Sequence, residues 1–230
     1  MLVVSSFDLS GNLRVMKPAK FLSSAVKDFT LNLNTDYRYM KTGYYVSMHA
    51  EILGNFVIPS SENIIDSSRT PILLLRASRA GIPTLPFIVT DSIKKITCEL
   101  GFPVIVYAVN PFIHDGYKTA SNKTALYRAV KSLGMNYKFA VCAQPLKGEM
   151  HSIKTFFGKC SEDNDAQNIA EKVYTLFKIP ICKLHIQKAN GKAYLSGLQP
   201  IERNELAPND LRIISKEVSL IPMQGEFIGG

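Results

Sequence analysis

Asp28 to Ser60, DFTLNLNTDYRYMKTGYYVSMHAEILGNFVIPS, is the stretch whose reading decides the fold. Phe29-Thr30-Leu31-Asn32-Leu33 alternates apolar and polar residues as a strand does. Asn34 to Thr42 is a polar, aromatic loop, and a helix is predicted from near Gly43. Gly54 stands where a C′ residue belongs, because a left-handed backbone costs glycine little. Phe56-Val57-Ile58 reads as a second strand, closed by Pro59. Strand, loop, helix and strand in about 30 residues make one βαβ unit. Such a unit brings its loop and the helix N-terminus to the C-terminal edge of a parallel sheet, where ligands bind.

The loop is crowded with Asn32, Asn34, Asp36, Tyr37, Arg38, Tyr39, Tyr44 and Tyr45, all within 14 residues. Gly43 is its only glycine, so it is neither a G-x-G-x-x-G turn nor a P-loop. Two readings follow from the chemistry. Arg38 binds a carboxylate or phosphate while Tyr39, Tyr44 and Tyr45 wall a pocket, or the same side chains brace a long βα loop against the sheet.

Asn32-Leu33, Tyr37-Arg38-Tyr39, Gly43 to Ser47, Ala50-Glu51, Gly54 and Ile58-Pro59-Ser60 form a dense local pattern. It resembles the signature of the domain that precedes the ligase core in RimK-like ATP-grasp proteins. The resemblance implies an α/β fold, with a pre-ATP-grasp, Rossmann-like βαβ unit and an α+β section of helices on a mixed sheet. It also implies that Asn32 and Glu51 are polar contacts beside Arg38 and the tyrosines.

Bulk properties narrow the function classes. With 230 residues, 46% of them hydrophobic, the chain can bury a real core. It has no apolar run of about 18 residues that would span a membrane, and its first residues, MLVVSSFDLSGNLR, do not read as a signal peptide. Cys98, Cys142, Cys160 and Cys182 are widely separated, which fits buried thiols in a reducing cytoplasm rather than a zinc ribbon. A net charge of +8 admits a polyanionic partner, but the lysines are spread along the chain, so nucleic acid is not expected.

The order after the βαβ unit is read as follows. Ser60 or Ser61 caps a helix, and Arg76 and Arg79 share a helix face, where both would meet an anion or simply solvent. Gly81 to Pro86 turns into a strand, Asp91 caps a helix ended by Gly101, and Pro103 to Ala108 is a buried strand. A helix from Asn122 to Leu133 and a strand from Lys138 to Cys142 follow. This section resembles the opening of an ATP-grasp fold, in which a lysine ending the strand reaches the nucleotide phosphates; here Tyr107 stands in that place. The glycine-rich loop expected next is replaced by AVNPFIHDGYKTA, with Gly116 alone, which cannot cradle phosphate in the usual way. His114-Asp115 reads as a turn rather than an acid–base pair, and no histidine has metal-ligand spacing, so no metal site is expected.

From His151 the pattern resembles the RimK-associated domain again. A strand ends at Gly158, a helix from Asp165 to Phe177 is capped by Asp163 or Asn164, and strands Ile181 to Ile186 and Tyr194 to Leu198 flank an Asn-Gly hairpin turn. An ATP-grasp tail would carry magnesium-binding carboxylates and an Asn; what stands there is Ser196-Gly-Leu-Gln-Pro200. A last helix covers 207–219, and the chain ends in Gly-Gly, read as a frayed tail.

Four sections are therefore expected: 1–70, the βαβ unit; 71–150, the ATP-grasp-like section; 151–220, a strand–helix–hairpin section packing on the first; and 221–230, a flexible tail. The functional expectation is a non-catalytic or degenerate relative of RimK-like carboxylate–amine ligases. It would bind a small carboxylate or amino-acid substrate or dock on a separate ATP-grasp ligase subunit, with no catalytic residue and no cofactor. The alternative is a divergent active ligase using ATP and Mg, its phosphates held by Lys118, Lys123 or Arg128.

Overall fold

The computed structural model describes residues 1–110 and 116–221. Its first sheet is built from β1 (Leu2–Ser5), β2 (Val15–Met16), β3 (Thr30–Leu33) and β4 (Val57–Ile58), in the order β2-β1-β3-β4, all parallel. α1 (Pro18–Leu22) and α2 (Thr42–Ile52) lie against one face, where Leu2 and Val4 meet Phe21, Val46 and Ala50. The opposite face buries Val3 and Leu31. β3 is thus covered on both sides, and all four of its residues are buried, polar ones included. The βαβ unit expected around Gly43 is β3-α2-β4, and Gly54, with φ of 77°, donates its N–H to the Glu51 carbonyl at the end of α2.

α3 (Ser61–Ser68) begins at Ser60, whose side chain accepts from the Asn63 N–H, and α4 (Thr70–Arg79) follows at once. The second sheet joins β5 (Ile88–Thr90), β6 (Val104–Ala108), β7 (Tyr117–Ala120) and β8 (Val141–Pro145) in the antiparallel order β5-β8-β6-β7. α5 (Ile93–Leu100) and α6 (Lys123–Leu133) cover it, packing Ile96, Leu126, Val130 and Leu133 on Val104, Val106 and Val141.

The third sheet is a meander of β9 (Glu149–Phe156), β10 (Ile181–Ala189) and β11 (Lys192–Gln199), antiparallel in the order β11-β10-β9. Asn190 and Gly191, with φ of 51° and 70°, make the tight turn that the Asn-Gly pair predicts. α7 (Asn164–Phe177), α3 and α4 share a core with this sheet, including Ile64, Leu73, Val173, Phe177, Leu184 and Leu195. α8 (Pro208–Leu220) brings Ile214 and Val218 onto Val3 and Leu31 of the parallel sheet, beside Phe156 and Ile181. The chain adopts the expected α/β class, one parallel sheet joined to two antiparallel ones.

Several local expectations are corrected. Ser92, not Asp91, caps α5, because its hydroxyl is the one that accepts from the Lys95 N–H. The strand predicted from Lys138 starts only at Val141. Before it, Met135, Asn136 and Tyr137 take left-handed φ of 50°, 56° and 63°, a conformation costing roughly 1–2 kcal/mol per L-residue. Hydrogen bonds from Asn136 N to Lys131 O (2.8 Å) and from Phe139 N to Gly134 O (3.0 Å) hold this turn. Gly134 sits inside it, where a Cβ would come within 2.7 Å of the Phe139 carbonyl. The segment after Tyr107, where a loop was expected, contains strand β7. The readings of His114-Asp115 and of the terminal Gly-Gly lie outside the described residues.

Candidate functional site

The three sheets meet around a cleft at the C-terminal edge of the parallel one. Tyr37 and Arg38 reach it from the loop after β3, Ser67 and Ser68 from the end of α3, and Thr70 from the start of α4. Tyr107 and Asn110 come from the end of β6, Lys183 from β10, and Gln199 and Glu202 from the end of β11 and beyond. The cavity holds about 140 Å³, against roughly 300 Å³ or more for ordinary small-molecule sites.

Both cationic side chains among the described residues of the cleft already have acidic partners. Arg38 donates from Nε to Asp36 Oδ1 (2.9 Å) and from Nη2 to Asp36 Oδ2 (2.6 Å), a two-pronged pair. Burial pushes the Asp36 carboxyl up, but the Arg38 hydrogen bonds and the charges of Arg38 and Lys41 together hold it below its ordinary value. Lys183 Nζ donates to both Glu205 carboxylate oxygens, at 2.8 and 3.0 Å. With Glu202 also in the lining, the cleft presents both signs of charge rather than a positive field. Cys182 lines it too, but burial pushes its thiol up to about 12, so it is no nucleophile.

A neutral polar network closes the floor of the cleft. The Tyr107 hydroxyl shares a 2.8 Å hydrogen bond with the Ser196 hydroxyl, linking the second sheet to the third. Ser196 Oγ also bonds Gln144 Oε1 (2.7 Å) and accepts from Gln187 Nε2 (3.2 Å). Ser196 is the extra residue where the β10–β11 register shifts, and this bulge turns its hydroxyl toward Tyr107. Gly197 makes room for the phenol ring, since a Cβ there would lie 2.9 Å from it. The amide of Gln199 occupies the space beside Gly116, 1.3 Å from where a Cβ would stand.

Of the six residues singled out in the sequence, the cleft takes Arg38. Asn32 is wholly buried under the loop and donates to Gly43 O (2.7 Å) and Ser47 Oγ (2.8 Å), while accepting from Asn34 (2.6 Å). Glu51 accepts from the Ser61 N–H (2.8 Å) and hydroxyl (2.6 Å), tying α2 to α3 away from the cleft. Tyr44 is buried in the core, while Tyr39 and Tyr45 are 40% and 44% exposed and stack edge-on against it. Arg76, the other anion candidate, bonds Asp66 at 2.6 Å and lies over the Phe177 ring. Tyr37 and Lys183 were missed. Tyr37 stood in the Tyr-Arg-Tyr cluster, and Lys183 begins a polar stripe, Lys183-His185-Gln187, on alternate residues of β10.

The resemblance implies a nucleoside triphosphate with magnesium, and the described lining of the cleft would meet it with Arg38 and Lys183, each already paired with a carboxylate. Strand β6 carries the phenol of Tyr107 near its end, and β11 carries a hydroxyl, a glycine and an amide at Ser196, Gly197 and Gln199. Among the described residues, no cluster of three or more His, Cys, Asp or Glu side chains could hold a metal. A cleft whose cations are each neutralised gives a polyanion little Coulombic gain.

Comparison with known proteins places the chain. No curated protein sequence matches it. The RimK domain ATP-grasp protein of Sphaerobacter thermophilus superposes with a TM-score of 0.65 at 14% identity, covering 95% of this chain and 100% of that one. D-alanine–D-alanine ligase of Bacillus anthracis gives 0.66 at 15% identity, covering 98% of each. The ATP-grasp ligase PsnB, solved with a phosphomimetic variant of its minimal precursor, Mg and ADP, gives 0.56 at 14% identity over 76% of this chain and 64% of that one. These likenesses, at such identities, establish the fold. The model of the RimK-like ATPgrasp N-terminal domain matches residues 19–217, so the chain belongs to that family.

Proposed function

We propose that this protein is a non-catalytic relative of RimK-like ATP-grasp carboxylate–amine ligases. In this reading it binds a small carboxylate or amino acid in the three-sheet cleft, or docks on a separate ATP-grasp subunit that supplies the nucleotide chemistry. The observation that carries the reading is the buried bond between Tyr107 and Ser196, which ties the second sheet to the third and leaves a neutral phenol at the floor of the cleft. The mixed charges of Arg38, Lys183 and Glu202 suit a zwitterion, whose carboxylate and ammonium need opposite partners. Arg38 is the carboxylate contact, Asn32, Tyr39, Tyr44 and Tyr45 hold the loop that presents it, and Glu51 ties α2 to α3. Four free cysteines, two of them buried, fit a reducing cytoplasm. No helix among the described residues is long and apolar enough to cross a membrane.

Thermal denaturation with and without Mg-ATP tests the nucleotide part. The expected shift is near zero; a rise of several degrees overturns it. Calorimetric titration with L-glutamate and L-alanine tests the cleft, with Arg38→Ala expected to lose about tenfold or more in affinity. Equal binding by the variant removes Arg38 from the site.

A second reading, a divergent active ligase, is favoured by one finding: the same fold in PsnB was solved with Mg and ADP. It would need phosphate contacts from Lys118, Lys123 or Arg128. Lys118 Nζ instead bonds Ser132 Oγ at 2.7 Å, and none of the three lines the cleft. Amide formation from an amino acid, ATP and an amine by the isolated chain would establish this reading.

A further inference from the structure

Between Gly116 and Gly148 the chain carries six Lys or Arg residues and not one Asp or Glu. The fold gathers most of that charge on one side of the second sheet. Lys123, Tyr127 and Lys131 recur every four residues along α6 and so share a face, with Arg128 beside them, all exposed. Lys118 is bonded to Ser132 on the same helix. The left-handed turn after α6 then exposes Met135, Tyr137, Lys138 and Phe139. An open depression lined by Arg128, Lys131, Ser132, Met135 and Asn136 separates helix from turn. On α5, packed next to α6, Lys94 and Lys95 add positive charge, and the carboxylate of Glu99 lies 3.9 Å from Lys95.

We propose that this α6 face is a docking surface for an acidic polypeptide segment bearing an apolar side chain among its carboxylates. Charge complementarity selects the acidic partner, because Lys123, Arg128 and Lys131 have no carboxylate of this segment beside them. The exposed Met, Tyr and Phe side chains, with Arg, are the types that anchor protein interfaces. Three neighbouring residues, two of them bulky, are held in a left-handed turn by internal hydrogen bonds, so Tyr137 and Phe139 are presented by a defined backbone rather than a slack loop. Nucleic acid fits less well. Tyr127 and Tyr137 meet each other at 5.9 Å with planes 55° apart, so their rings are turned together instead of laid out as platforms for successive bases. The surface is separate from the cleft, and the proposal does not depend on what the cleft binds.

Fluorescence anisotropy on the full chain tests it. The probes are a short labelled peptide rich in Asp and Glu with two central leucines, the same peptide with serines in place of leucines, and an oligouridylate of equal length. The leucine peptide is expected to bind best. Lys123→Glu, Arg128→Glu and Lys131→Glu together should weaken it by about tenfold or more and flatten its salt dependence. Tyr137→Ser with Phe139→Ser should weaken it severalfold while leaving the salt dependence unchanged. Should the triple reversal disturb folding by circular dichroism, the three Gln replacements serve in its place. Unchanged affinity in the charge variants, equal binding of the serine peptide, or tighter binding of the oligouridylate each overturns the proposal. Amino-acid titration of the same variants reads the cleft separately.

Discussion

His185 is 3% exposed, its Nδ1 3.4 Å from the Ser152 hydroxyl and its Nε2 without a hydrogen-bond partner among the described residues. Burial lowers its pKa from 6.5 to about 4, against a smaller upward pull from Gln199 and with Lys183 pushing the same way as burial. Between those values the unfolded chain binds the proton and the folded chain does not. Stability is therefore full above pH 6.5 and falls as pH drops toward 4, by about 3 kcal/mol at the limit. Urea unfolding of wild type and His185→Phe across that range should show a markedly steeper slope in wild type. Asn32→Ala strands buried partners and should cost about 1–3 kcal/mol by the same measurement. Gly197→Ala forces the rigid Tyr107 ring aside and should cost about as much. Arg38 stood out in the sequence as an arginine among tyrosines on a βα loop, and the structure puts it at the cleft while pairing it with Asp36 of the same loop. Asn32 looked like a ligand contact from its type, yet a central parallel strand buries both faces, so its amide is spent on Gly43 and Ser47. Ser196 could not be found by alternation, because a bulge breaks the period that alternation assumes.

At the level of elements, helix α7 offers the cleanest test of a local signal. Its cap, Asp163, accepts from the Ala166 N–H at 3.0 Å and pairs with Lys188 at 2.7 Å. Asp163→Ala should lower the melting temperature by roughly 2–4 °C for a chain this size. Elements with caps, helical spacing or an Asn-Gly turn were all legible: α2, α3, α6, α7 and the β10–β11 hairpin. The misplaced ones have physical causes. Lys138 to Ala140 carry strand-like residues, but they close the strained turn that exposes Tyr137 and Phe139, and pairing with β6 begins only at Val141. β7 was hidden because Tyr117 to Ala120 is short and polar, and it is a strand by virtue of pairing with β6.

On the scale of the molecule, the expected packing of the last section on the first is seen where Phe156, Ile181, Ile214 and Val218 meet Val3 and Leu31, but the residues that meet at the cleft could not be read from the sequence. The cleft draws residues from positions 37 to 202, and no local period links Tyr37 to Lys183. Helix α8 shows the same long reach. It sets Ile214 and Val218 against Val3 and Leu31, and the Ser10 N–H donates to Ser215 Oγ at 3.1 Å. During translation the first strands therefore emerge from the ribosome some two hundred residues before their lid, and that greasy face of the parallel sheet lacks Ile214 and Val218 until then. Nascent chains arrested short of Pro208 should be cut by protease within the first sixty residues and bind holdase chaperones there. Chains released past Leu220 should resist, and early resistance in the shorter chains would show that the sheet matures without its lid.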